Sequence, residues 1–154
     1  MRSKLLGIVL TIGVAGAQVT WDRLRNAQSE PQNWLTYSDT NFGQRHSTLS
    51  EVNPANVKDL QLKWVFQAAS FEKFEATPLV ADGILYTVQA PNDIVAMDAA
   101  TGRIFWTYTY TPSKEARVCC GRVNRGLAIL GETLFMGTID GRLLAVDAKS
   151  GKPV

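Results

Sequence analysis

Two stretches of this chain superimpose without a gap when one is shifted by 49 positions, and that internal period constrains the fold more than any other feature. Gly83-Ile84-Leu85-Tyr86 through Asp98-Ala99-Ala100-Thr101-Gly102-Arg103 maps onto Glu132-Thr133-Leu134-Phe135 through Asp147-Ala148-Lys149-Ser150-Gly151-Lys152. Apolar character is kept at 85/134, 86/135 and from 94/143 to 97/146, while the aspartates at 98/147 and the glycines at 102/151 are identical. A fixed period of this size marks a repeat architecture, in which each unit buries its apolar face only against its neighbours.

The unit reads as all-β. Residues 84–88 and 133–137 are short runs of β-forming side chains. The polar breaks Pro91-Asn92-Asp93 and Asp140-Gly141-Arg142 predict hairpin turns, where Asp-Gly supplies the positive φ that a tight hairpin needs. Residues 94–97 and 143–146 are unbroken apolar runs, as expected of inner strands buried on both faces. Asp-Ala-x-Thr/Ser-Gly predicts a second turn, and Ile104-Phe105-Trp106 a closing strand that ends in a large aromatic.

Four-stranded antiparallel units of this kind stack radially as the blades of a β-propeller. Trp64, in Leu62-Lys63-Trp64-Val65-Phe66, is predicted to close an earlier blade, and the next closing tryptophan is expected immediately after Val154. The chain is therefore predicted to stop inside a blade. It would supply about two to three blades of an eight-bladed ring, which needs roughly 400 residues.

The first seventeen residues predict an export signal. Arg2 and Lys4 make a positive start, Leu5 to Val14 an apolar run too short to cross a bilayer, and Ala15-Gly16-Ala17 a cleavage pattern. An uncleaved hydrophobic anchor is the alternative. Residues 18–154 are then a truncated propeller domain beginning at Gln18, with no cysteine after Ala17 for lipid attachment. The destination is periplasmic or extracellular. A net charge of +2 without a basic block predicts neither nucleic-acid nor membrane binding.

Several motifs carry a family resemblance. Asn33-Trp34-Leu35-Thr36-Tyr37-Ser38 precedes Asn41 and Gln44-Arg45-His46-Ser47-Thr48-Leu49, and Asn56-Val57-Lys58-Asp59-Leu60 leads into Trp64. Glu75-Ala76-Thr77-Pro78-Leu79-Val80 and Cys119-Cys120-Gly121-Arg122-Val123-Asn124-Arg125-Gly126 follow. In this order, over about residues 33–154, they resemble the alcohol dehydrogenases that depend on pyrroloquinoline quinone (PQQ). His46 stands where that family often has Tyr, and Gly121 where methanol enzymes carry Asp. As the chain's only histidine, with no partner at metal spacing, His46 reads as a partly exposed packing residue.

The resemblance implies a cofactor site at Glu75, Cys119, Cys120 and Arg125. Neighbouring cysteines can pair in an oxidising compartment. Their Cα atoms lie about 3.8 Å apart across a trans peptide, so such a ring strains the peptide between them. By themselves the residues equally allow two separate thiols, or one exchanging with another chain. The resemblance implies a Cys119–Cys120 disulfide against one face of the quinone. It also implies an Arg125 pairing with a PQQ carboxylate, for which a planar guanidinium fork is suited. Glu75 is implied to hydrogen-bond the cofactor, although a carboxylate beside an anionic ligand needs an intervening donor, proton or arginine.

In the complete enzyme the resemblance implies alcohol oxidation with Ca2+ or a lanthanide as Lewis acid, and electron transfer to a cytochrome c. The general base and metal ligands are expected beyond this chain, and the fragment alone is expected to be inactive. A non-catalytic envelope-assembly scaffold built of PQQ-like repeats is the competing reading. It leaves Glu75, Arg125 and the cysteine pair without a purpose. A remnant with neither activity nor stable fold is a third reading, since repeat architectures need about three units.

Overall fold

The 49-residue period becomes two successive antiparallel sheets. The computed structural model describes residues 19–154, so the export signal expected at 1–17 and the start expected at Gln18 lie outside the described residues. Strands β1 (Leu79–Ala81), β2 (Ile84–Gln89), β3 (Asp93–Asp98) and β4 (Ile104–Tyr108) form a four-stranded sheet in chain order. Strands β5 (Ala128–Leu130), β6 (Thr133–Gly137) and β7 (Leu143–Asp147) repeat its first three members. The register repeats as well. Tyr86 faces Ala96 as Phe135 faces Ala145, and Met97 meets Ile104 as Val146 bridges Pro153.

The turns follow from local chemistry. Asp82 and Gly83 both take positive φ, 49° and 82°, between the paired Ala81 and Ile84, which is the geometry a two-residue hairpin demands. At the end of β3, the Asp98 carboxylate accepts from the Ala100 and Thr101 amides and from the Thr101 hydroxyl. Asp147 accepts from the Ser150 amide and hydroxyl in the same way.

The closing aromatics join one sheet to the next. Trp64 Nε1 donates to the Ala99 carbonyl and Trp106 Nε1 to the Ala148 carbonyl, each at 3.2 Å. Each indole lies so close to the turn glycine that a Cβ on Gly102 would fall 2.6 Å from Trp64 Cε3, and one on Gly151 2.5 Å from Trp106 Cε3. The segment carrying Trp64 belongs to no strand among the described residues, and Leu62 and Val65 beside it are exposed.

Burial departs from expectation in one place. Ile94 to Met97 in β3 are all buried, as an inner strand apolar on both faces should be. In β7 only Val146 is buried, and Leu143 is 73% exposed. Val146 shares a core cluster with residues of the first sheet, and among the described residues no sheet follows β7 to bury its remaining side chains.

The N-terminal segment ties the two sheets together. Val19 bridges Gly131 at the β5–β6 turn, and the short helix α1 (Trp21–Arg25) starts on a Thr20 side chain that accepts from the Arg23 amide. Arg23 then grips Glu30 at 2.6 Å and Asp82 at 2.7 Å, which anchors the segment to the β1–β2 turn.

Candidate functional site

Strands β1 and β5 begin side by side. Thr77 and Gly126, which are equivalent positions of the repeat, form a parallel bridge, and the Thr77 amide donates to the Arg125 carbonyl at 3.3 Å. Residues just ahead of β1 and β5 therefore converge. Glu75 comes from the first sheet and Arg125 from the second, with Arg125 Nη2 3.2 Å from Glu75 Oε2. Arg125 is 71% exposed and Glu75 32%, so the guanidinium remains open to a ligand while it faces the carboxylate. A glutamate that looks misplaced beside an anion in the sequence thus stands next to a cation.

Arg125 lies on the wall of an open cavity of about 470 Å³, with Tyr37, Asn124, Gly126, Thr138 and Ile139 among its lining. Arg45 sits over the Tyr37 ring, 5.0 Å from its centroid, and adds positive charge nearby. The cavity wall is stiffened by polar contacts. Asn124 Nδ2 donates to the Gly137 carbonyl at 2.8 Å and to Asn92 Oδ1 at 3.1 Å, and Asn124 Oδ1 accepts from the Gly126 amide at 3.0 Å.

Cys119 and Cys120 occupy the exposed loop between β4 and β5, their sulfurs facing each other and their Cα atoms 3.8 Å apart. The pair does not line the cavity that Arg125 lines. His46, read from the sequence as a partly exposed packing residue, is exposed. Among the described residues no three His, Cys, Asp or Glu side chains gather as a metal centre requires. No described helix is long and apolar enough to cross a membrane.

Asp140 braces the same region. Its carboxylate accepts from the Thr138 and Tyr110 hydroxyls and from the Ser113 amide, tying the loop that leads toward the cysteines to the turn after β6. The Thr138 bond first, then the Ser113 amide, holds the carboxyl well below its usual range, at about 2. Because the folded group is the stronger acid, its contribution is complete above about pH 4, the range of a free Asp. That contribution is lost as the pH falls toward 2. Stability measured between pH 5 and pH 2 is expected to fall more steeply for the parent than for Asp140→Asn. Equal slopes would show that this carboxylate does not carry the acid sensitivity.

Sequence reasoning singles out Glu75, Arg125 and the cysteines but reads Asn92 only as a turn residue and gives Asn124 no role. The available signal is the position of Asn124, immediately before Arg125 in the Cys-Cys-Gly-Arg-Val-Asn-Arg-Gly motif.

Two successive antiparallel sheets of the same register, joined by tryptophan-on-glycine contacts, are the repeating blades of a β-propeller. The family model of the PQQ glucose/ethanol/alcohol dehydrogenase β-propeller domain matches residues 34–154, and the chain belongs to that family. Quinohemoprotein alcohol dehydrogenase ADH IIB of Pseudomonas putida is 37% identical over 158 residues, which span 100% of this chain and 23% of that protein. The 1-butanol dehydrogenase (cytochrome c) of Thauera butanivorans is 41% identical over 124 residues, 79% of this chain and 18% of that protein. A solved europium-containing methanol dehydrogenase superimposes with a TM-score of 0.80 at 35% identity, covering 86% of this chain and 24% of that one. The chain thus spans roughly a fifth to a quarter of the length of these relatives.

Proposed function

We propose that this chain forms the opening blades of a longer, periplasmic PQQ-dependent alcohol dehydrogenase and carries one wall of its cofactor site. The observation that carries the reading is the ion pair of Glu75 with Arg125, which lines an open cavity, in a chain whose residues 34–154 match the family. An exposed guanidinium held by one carboxylate suits a planar ligand with several carboxylates. It offers a bidentate fork, it is always charged, and its own partner keeps it oriented.

When bound, PQQ supplies the two-electron redox capacity that these side chains lack. Arg125 would pair with a ligand carboxylate, and Glu75 would keep the guanidinium oriented for it. Cys119 and Cys120, in the exposed loop ahead of β5 and outside the Arg125 cavity, would pair as a disulfide and supply a wall against the ligand. The general base and the ligands of a Ca2+ or lanthanide ion would be supplied by blades other than those described, with a cytochrome c as the electron acceptor. Metal use is supported by the europium-containing relative, and the electron acceptor by the cytochrome c named for the butanol enzyme. Residues 1–154 alone are inactive on this reading.

The test is a PQQ titration of the full-length protein, followed by alcohol-dependent reduction of an artificial acceptor. Arg125→Ala is expected to weaken PQQ binding by about 10- to 100-fold, the worth of a charge-assisted bond. Arg125→Lys, which keeps the charge and loses the fork, should lie between the two. A full-length protein that binds no PQQ would instead favour the scaffold reading.

A further inference from the structure

Arg125 is held in place by its backbone more than by its side chain. The side chain is mostly exposed and meets the protein through its ion pair with Glu75. The peptide group that follows it, by contrast, is held at both its oxygen and its nitrogen. The Arg125 carbonyl accepts from Thr77, and the amide of Gly126 is held by the Asn124 side chain.

Asn124 is 8% exposed and uses both ends of its amide, donating to the Gly137 carbonyl and to Asn92 Oδ1 while accepting from Gly126. Asn92 is 0% exposed, and its oxygen accepts a second bond from the Ile139 amide at 3.2 Å. Asn92 Nδ2 has no partner among the described residues. Leaving a buried donor unpaired is costly, so what this position contributes is the oxygen that Asn124 and Ile139 share. The two amides thereby lock three pieces of chain together: the β2–β3 turn of the first sheet, the turn after β6, and the strand start that presents Arg125.

We infer that Asn124, braced by Asn92, is a positioning residue that sets Arg125 against Glu75 for clasping the carboxylate of the cofactor. The inference rests on the reading of Arg125 as a PQQ contact. No other side chain of this size supplies one acceptor and two donors. The change Asn124→Asp would replace the donating nitrogen with an oxygen that repels both the Gly137 carbonyl and Asn92 Oδ1, and Asn124→Ala would free the Gly126 amide.

A double-mutant cycle on the full-length protein tests it, with PQQ affinity read by titration and stability read by urea unfolding. Asn124→Ala is expected to weaken PQQ binding about 10-fold when Arg125 is present, and less than about 2-fold in the Arg125→Ala background. Asn92→Ala should show the same coupling with a smaller amplitude. If Asn124→Ala does not fold, Asn124→Ser, which keeps an acceptor for Gly126, enters the same cycle. Equal weakening in both backgrounds, or lowered stability with unchanged affinity, would make the pair structural cement and overturn the inference. The failure of the cofactor reading itself looks different: Arg125→Ala alone would then leave PQQ affinity unchanged.

Discussion

Gly126→Ala is expected to destabilise the full-length protein by about 2–4 kcal/mol and to weaken PQQ binding at least about 10-fold. Two costs add. The residue sits at φ +122°, a conformation that side chains with a Cβ rarely adopt. The new methyl would also lie 2.9 Å from the Thr77 carbonyl oxygen, a backbone atom that cannot swing aside. Relief requires the segments leading into β1 and β5 to part, which stretches the Thr77–Gly126 bridge and carries Arg125 away from Glu75. Urea midpoints and a PQQ titration check both effects. Gly83→Ala is the control, because its Cβ would meet nothing within 4 Å and only the left-handed backbone is penalised, by about 1–2 kcal/mol. If Gly126→Ala proves no worse than Gly83→Ala, the close approach is not a constraint.

Gly102→Ala is expected to cost a similar amount, about 2–4 kcal/mol, without touching the cofactor residues. Here φ is +72° and the methyl would fall 2.6 Å from Trp64 Cε3 and 2.7 Å from Cδ2, inside the indole's contact surface. The indole cannot retreat freely, since its Nε1 is tied to the Ala99 carbonyl of the same turn. The urea midpoint should fall at unchanged slope. Adding Trp64→Leu should then cost less in the Gly102→Ala background than in the parent, because there the loss of the indole also relieves the clash. Strict additivity would mean that Trp64 does not press on the glycine.

Much of this arrangement is legible in the chain. The period, the hairpin turns and the docking aromatics rest on local chemistry: Asp-Gly pairs, apolar runs, and a tryptophan recurring 42 positions apart at 64 and 106. The short strands β1 and β5 are not. Three residues are too few to display the two-residue alternation by which strands are recognised. Nor can burial be read evenly, since β3 and β7 carry equivalent apolar runs while only β3 has neighbours on both faces.

At the site the division is sharper. The residue types set which chemistry is available: a guanidinium is charged in any setting, a carboxylate can pair with it, and two adjacent sulfurs can bond to each other in an oxidising compartment. Only the stacking of sheets decided that Glu75 and Arg125, 50 positions apart, stand 3.2 Å from each other. It also decided that Asn92 and Asn124 close behind them. A radial repeat brings equivalent positions of successive units into contact, so proximity is set by the packing of one unit on the next and leaves no mark in the residues between.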